Sequence, residues 1–115
     1  MHNRITQLND LIRDAVSSLF TRELSLKEGV IITVARVSTA KNLRSTHVAV
    51  SVFPVSERSY AMKTLEHESR ELQKLLHRMI ATRPLPKLFF ELDTTEEKAD
   101  EVEHLLMDIR KSESK

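Results

Sequence analysis

The sequence predicts an α+β domain in which a three-stranded sheet carries helices packed mainly on one face. Three observations favour this class. Long segments place apolar residues at steps of three and four, two shorter segments are rich in β-branched residues, and a pair of prolines precedes a third short apolar run. The predicted order is helix, strand, strand, long helix, strand and helix, within a single domain spanning residues 1–115.

The first helix is predicted over residues 4–23, where apolar residues recur at helical spacing and form one stripe. The residues of this stripe are Ile5, Leu8, Ile12, Ala15 and Leu19. Gly29, the only glycine in the chain, follows the helix and allows a sharp turn before the first strand.

Two strands are predicted next, over residues 30–38 and 45–53, because both segments alternate and are rich in β-branched residues. The polar link between them is short, which favours an antiparallel hairpin. Alternation along the first strand predicts two faces, with Val30, Ile32 and Val34 on one and Ile31, Thr33, Ala35 and Val37 on the other.

The longest helical region is predicted over residues 57–82, with Ser56 as its N-cap. Its apolar stripe has a gap at Ser69, a small polar residue that permits close approach or a bend. The region is therefore expected to be kinked or split. Pro84 and Pro86 terminate it.

A third strand is predicted over residues 88–92 and a final helix over residues 95–110. Thr94 and Glu97 have the spacing of a capping box, which predicts the start of this helix. Acidic residues in its first turn and basic residues near its end suit the helix dipole.

The charge of the chain is divided by position. Residues 1–90 carry 14 Lys or Arg and 8 Asp or Glu, a balance of +6, whereas residues 91–115 carry 4 and 9, a balance of −5. A basic body favours a polyanionic partner, because cations gain affinity by releasing counterions from phosphates. The acidic end is explained by the capped final helix.

Several function classes are disfavoured by composition. The absence of cysteine excludes disulfides, thiol nucleophiles and thiolate metal sites, and a single glycine argues against loops that cradle nucleotides. No pair of histidines has the spacing of metal ligands, so no metal, cofactor or enzymatic activity is expected. No apolar run has the length of a membrane span or a signal peptide, so a cytoplasmic location without a membrane partner is expected.

One helical face gathers cations. Lys63, His67, Arg70, Lys74 and Arg78 follow one another at steps of four, three, four and four, which places them in one row. A row of cations on a rigid helix can contact successive phosphates of a nucleic acid. The alternative is a solvated outer face, with Glu66 and Glu71 forming ion pairs within the helix.

The ordered motifs of the chain resemble those of the ribosome-binding factor A family. In the hairpin they are Gly29 before the first strand, Thr33-Val34, Val37, the turn Lys41-Asn42-Leu43, and alternating Val48 and Val50. Outside the hairpin they are Arg22-Glu23-Leu24 at the end of the first helix, and Pro86, Leu88, Phe90 and Asp93 in the last strand. The resemblance covers about residues 4–110.

The resemblance implies a type II KH-like domain that binds immature small ribosomal subunits and their rRNA during maturation, as a non-catalytic factor acting as a monomer. By this resemblance, the basic row is a candidate RNA-binding face. The cations of the hairpin turn and of the loop around the two prolines lie beside it, and either RNA contact or a simple solvent-exposed loop is open for them. The candidate residues are Lys63, His67, Ser69, Arg70, Lys74, Arg78, Lys41, Arg44, Arg83 and Lys87.

One departure from the family bears on this site. The family carries Ala-x-Gly at the kink between its two central helices, and the corresponding residues here are Glu68-Ser69-Arg70. Arg70 offers a charge where glycine would offer close backbone approach to phosphate. The alternative function is a KH-like domain repurposed for protein contacts, with weak or no RNA binding and its acidic final helix as the partner surface.

Overall fold

The computed structural model describes residues 4–81, 85–95 and 106. Its regular elements, in chain order, are helix α1 (Arg4–Arg22), strand β1 (Ile31–Thr39), strand β2 (Ser45–Phe53), a short 3₁₀ helix (Val55–Glu57), helix α2 (Arg58–Met79) and strand β3 (Lys87–Leu92). This order confirms the predicted α+β class. The final helix predicted over residues 95–110 lies outside the described residues, apart from Thr95 and Leu106, which are both helical.

The three strands form one mixed sheet with β2 at its centre. β1 pairs with β2 in antiparallel fashion across a tight turn, as the short link predicts. β3 pairs with β2 in parallel, so the chain must cross over between them, and α2 makes this crossing.

β1 contains a bulge that corrects the predicted faces of this strand. The register with β2 shifts between Val34 and Arg36, so Ala35 is an extra residue without a partner. An extra residue reverses the alternation beyond it. Val37 is therefore buried on the same side as Ile32, although strict alternation placed it on the opposite face.

The core lies between the inner face of the sheet and the two helices. Each helix buries one apolar side, and β2 runs through the middle with its inward valines almost fully covered. Among the described residues, the largest fully buried apolar side chains are Ile12, Val16, Leu19, Val48, Val50, Leu65, Leu76 and Pro86. The outer face of the sheet stays open at one end, where Ile31 and Phe53 are exposed.

The start of α2 differs from the prediction. Ser56 does not cap the helix, because it lies inside the 3₁₀ helix that leads into α2. The N–H of Glu57 donates to the Pro54 carbonyl and that of Arg58 to the Val55 carbonyl, so the backbone itself supplies these acceptors. Glu57 stands at the N-cap position of α2 without a side-chain capping bond.

The connection between α1 and β1 is fastened to the start of α2. The backbone N–H of Lys27 donates to the Tyr60 hydroxyl at 2.9 Å, and the Lys27 ammonium pairs with Glu57 at 2.8 Å. Gly29 then turns the chain with a φ of 86°, a conformation that side-chain-bearing residues rarely adopt.

Removal of a fully buried α2 side chain should destabilise the domain strongly. We expect Leu65→Ala to lower the free energy of unfolding by about 2–5 kcal/mol, because it deletes apolar contacts and leaves a cavity. Urea unfolding followed by circular dichroism measures this loss. Leu11→Ala is the matched control: its side chain is 53% exposed, and we expect a change of about 0.5 kcal/mol or less. Equal losses in both variants would contradict the assigned core.

Candidate nucleic-acid interface

The predicted row of cations lies on the solvent side of α2. We call Lys63, His67, Arg70, Lys74 and Arg78 the α2 basic stripe, and all five are exposed. Their orientation follows from the opposite side of the helix, where Ala61, Leu65, Leu72 and Leu76 are buried against the core. Burial of that apolar side leaves the stripe facing solvent.

The side chains of the stripe are exposed and form no ion pairs with carboxylates of the described residues. Among those carboxylates, Glu66 and Glu71 are exposed beside the stripe without engaging it. The intrahelical pairing that would make the stripe a merely solvated face is therefore not observed in this part of the chain.

A groove of about 510 Å³ separates α2 from β3, and three of the predicted site residues line it. They are Lys63 and Ser69 from the helix and Lys87 from the strand. Met62, Leu88 and Phe90 provide the apolar floor of the groove, Phe89 also contributes to the lining, and Glu66 adds one carboxylate. Cations at the rim of an apolar groove suit a ligand with both phosphates and flat bases.

A second groove of about 400 Å³ opens on the hairpin side of β3. Arg44 and Lys87 line it, together with His77 from α2 and the apolar side chains of Leu43 and Leu85. Lys87 belongs to both grooves, so the two lie next to each other around the start of β3. The structure thereby brings Arg44 and Lys87 together, although they are 43 positions apart in the sequence.

Gln73 fixes this arrangement, and sequence reasoning missed it. Its side-chain amide donates to the Pro86 carbonyl at 3.1 Å and accepts from the Leu88 N–H at 2.7 Å, so both ends of the amide hold the start of β3. The Lys87 N–H meanwhile donates to the Arg44 carbonyl at 3.0 Å. A lone glutamine within a helix gives no sequence signal for such a clamp.

Ser69 does not divide α2. The helix continues through this residue, so the helical region is not split. The Ser69 hydroxyl donates to the Glu66 carbonyl at 2.9 Å, a local side-chain bond to the preceding turn at the gap in the apolar stripe. Arg70 is exposed on the outer face and lines neither groove.

The remaining predicted cations are divided between the turn and an undescribed segment. Lys41 is exposed at the hairpin turn, where Leu43 adopts a φ of 61° and the Asn42 side chain accepts from the Arg44 N–H at 2.9 Å. Lys41 lines neither groove. Arg83 lies outside the described residues.

Arg36 is exposed but engaged. Its guanidinium lies 3.4 Å from Asp93 and donates to the Thr95 hydroxyl at 3.2 Å. Asp93 also accepts from the hydroxyl and the backbone N–H of Thr95. These two bonds from Thr95, and to a smaller degree Arg36, hold the pKa of the Asp93 carboxyl below its usual value of 3.8, while partial desolvation opposes them. Arg36 thus joins β1 to the segment after β3.

Within the described part of the chain, no group of three or more histidine or acidic side chains is placed to hold a metal ion. Within the same residues, no helix is long and apolar enough to cross a membrane.

Comparison with known proteins identifies similar chains. The model of the family described as ribosome-binding factor A matches residues 4–106. The ribosome-binding factor A of Thermomicrobium roseum is 30% identical over 108 residues, which are 93% of this chain and 84% of the relative. The corresponding protein of Dictyoglomus thermophilum is 31% identical over 106 residues, covering 89% of this chain and 87% of the relative.

Solved structures show the same fold. The crystal structure of ribosome-binding factor A from Thermus thermophilus superposes with a TM-score of 0.69 at 23% identity, covering 78% of this chain and 97% of that one. A homology model of the Thermus thermophilus factor, fitted into a cryo-EM map of its 30S complex, gives a TM-score of 0.66 at 24% identity, covering 76% of this chain and 93% of that one. The predicted KH-like fold is confirmed.

Loss of the Gln73 amide should loosen the start of β3. We expect Gln73→Leu to reduce the free energy of unfolding by about 1–3 kcal/mol, because the Pro86 carbonyl and the Leu88 N–H lose their partner. Amide hydrogen exchange at Leu88 should accelerate in the variant. Gln7→Leu, at an exposed position of α1, is the matched control and should change neither quantity appreciably. Unchanged exchange at Leu88 in Gln73→Leu would contradict the clamp.

The contacts of Asp93 should make stability depend on acid pH. A carboxyl whose pKa is lowered by folding stabilises the folded state above its unfolded pKa, and this contribution is lost as the pH falls through the folded pKa. We therefore expect Asp93→Asn to lower the urea midpoint at pH 7, and the difference from the parent to narrow near pH 3. Asp14→Asn, an exposed carboxylate of α1, is the control. A difference that persists undiminished at pH 3 would argue against this linkage.

Proposed function

The chain belongs to the ribosome-binding factor A family, and we propose that it binds the small ribosomal subunit during maturation through the α2 basic stripe. We assign the binding surface to the stripe because its five residues are exposed and make no ion pair among the described residues. The family name states ribosome binding, and a homology model of the Thermus thermophilus factor has been fitted into a cryo-EM map of its 30S complex.

The contact extends from the stripe into the two grooves around β3. Lys63 belongs to both the stripe and the α2–β3 groove, and Lys87 links that groove to the one lined by Arg44. Lys41 stands at the nearby hairpin turn, and Arg83, four positions before Lys87 in the sequence, adds a further cation. Contacts between the stripe and rRNA phosphates position the rRNA, and the grooves accept its sugars and bases.

Binding itself is the activity in this proposal. The protein stabilises one rRNA conformation while processing proceeds and catalyses no reaction. Recognition depends mainly on backbone and shape, because cations dominate the surface. This binding takes place in the cytoplasm, where small subunits mature. A chain without cysteine has no disulfide to lose in that reducing environment.

Charge reversal on the stripe should abolish binding selectively. We expect the triple variant Arg70→Glu, Lys74→Glu and Arg78→Glu to bind purified small subunits at least tenfold more weakly, because three phosphate contacts become repulsive. The dependence of binding on salt should also become shallower by about two to three in log–log slope. Co-sedimentation over a KCl series measures both quantities.

The matched control reverses three exposed arginines of α1, with the same change in net charge: Arg4→Glu, Arg13→Glu and Arg22→Glu. It should retain most of the binding, since these residues lie outside the stripe and both grooves. A folded stripe variant that binds as well as the parent would show that the surface is wrongly assigned. A parent that never sediments with small subunits, but captures a protein partner, would instead support the protein-contact alternative.

A further inference from the structure

An aromatic pair lies on the outer face of the sheet beside the α2–β3 groove. Side chains alternate along β3, so Leu88 and Phe90 point towards the core and Phe89 points outwards. His47 of β2 is the register partner of Phe89. The two rings stack with centroids 5.4 Å apart and an interplanar angle of 20°. We call His47 and Phe89 the ring platform.

The platform is open to solvent. Phe89 is 41% exposed, and the His47 side chain is 51% exposed. Neither ring belongs to the buried core cluster, so core packing among the described residues does not account for an aromatic side chain at position 89. Each ring of the stack covers one face of the other, so a further planar group would stack on an outer face, that of His47 or, once Lys87 moves aside, that of Phe89.

Charged groups border the platform on two sides. The Lys87 ammonium lies 5.3 Å from the centroid of the Phe89 ring, a cation–π distance. The Glu91 carboxylate lies 3.6 Å from the imidazole of His47 at the other side. A ligand with one anionic end and one hydrogen-bond-donating edge would match this order, since the anion would meet Lys87 and the donor would meet Glu91.

The platform is continuous with the proposed RNA surface. Phe89 and Lys87 both line the α2–β3 groove, which also contains Lys63 of the basic stripe. A strand whose phosphates follow the stripe therefore reaches Lys87 at the edge of the sheet. One nucleotide further, its base can turn onto the outer face.

We infer that the ring platform stacks a nucleobase of single-stranded RNA, with Lys87 contacting the adjoining phosphate. Stacking on aromatic rings is the usual way in which proteins hold unpaired bases, because every base has a π-face. Glu91 favours a base that presents an exocyclic amino group towards it. This inference rests on the proposed RNA-binding function and adds a base-contacting site on the opposite side of β3.

The test uses the full chain and a single-stranded RNA of about 12 nucleotides carrying one fluorescent purine analogue, 2-aminopurine. Fluorescence anisotropy of an end label reports binding, and quenching of the purine reports stacking. We expect Phe89→Leu to weaken binding about fivefold or more and to reduce quenching, because it removes the ring while keeping an apolar side chain. Phe89→Tyr should retain both signals, and the salt dependence should match the parent, because no phosphate contact is lost.

Phe53→Leu is the matched control, since it makes the same change at an exposed position on the other end of the same sheet face. It should stay within about twofold of the parent. His47→Leu removes the second ring and should reproduce the loss of quenching, which keeps the test decisive if Phe89→Leu folds poorly.

Three negative outcomes are distinguishable. If Phe89→Leu and His47→Leu quench and bind like the parent, the platform is wrong while RNA binding stands. If the parent binds neither the RNA nor small subunits at any salt concentration, the proposed function fails and the platform with it. Capture of a peptide ligand by Phe89, without quenching by RNA, would also overturn the inference.

Discussion

Packing of the apolar side of α2 against the inner face of the sheet is the interaction on which the rest of the structure depends. Leu65 and Leu76 are fully buried, so the helix cannot rotate without exposing its core contacts. That constraint fixes where the opposite side points. The solvent orientation of Lys63, Arg70 and Lys74 is therefore a consequence of apolar burial elsewhere on the same helix, and the surface needs no separate support to stay aligned.

Parallel pairing of β3 with β2 turns this packing into a site. A parallel strand requires a crossover, which α2 provides, and the start of β3 lies beside the hairpin turn. Gln73 fastens the start of β3 to α2 through both ends of its amide, and the Lys87 N–H donates to the Arg44 carbonyl of the hairpin. Lys87 then stands where helix, hairpin and sheet edge meet, and the two grooves and the ring platform all share this residue or its neighbour Phe89.

The elements were predictable from sequence because each depends on a local pattern. Helical spacing located α1 and α2, and alternation located β2 without error in its residues. The basic stripe was predictable for the same reason, since one helix carries all of it. Other features depend on contacts between residues far apart in the sequence, or on local backbone conformations that the same residues could adopt in more than one way. The bulge at Ala35, the clamp by Gln73 and the 3₁₀ helix around Ser56 belong to this second kind.

The uninterrupted course of α2 gives the stripe a fixed length. From Lys63 to Arg78 the helix rises 1.5 Å per residue, so the outermost charges lie about 22 Å apart along a straight axis. A split helix would bend around its ligand and adjust the separation between its two halves. An unbroken helix instead holds its outermost charges at one separation, whatever lies against them.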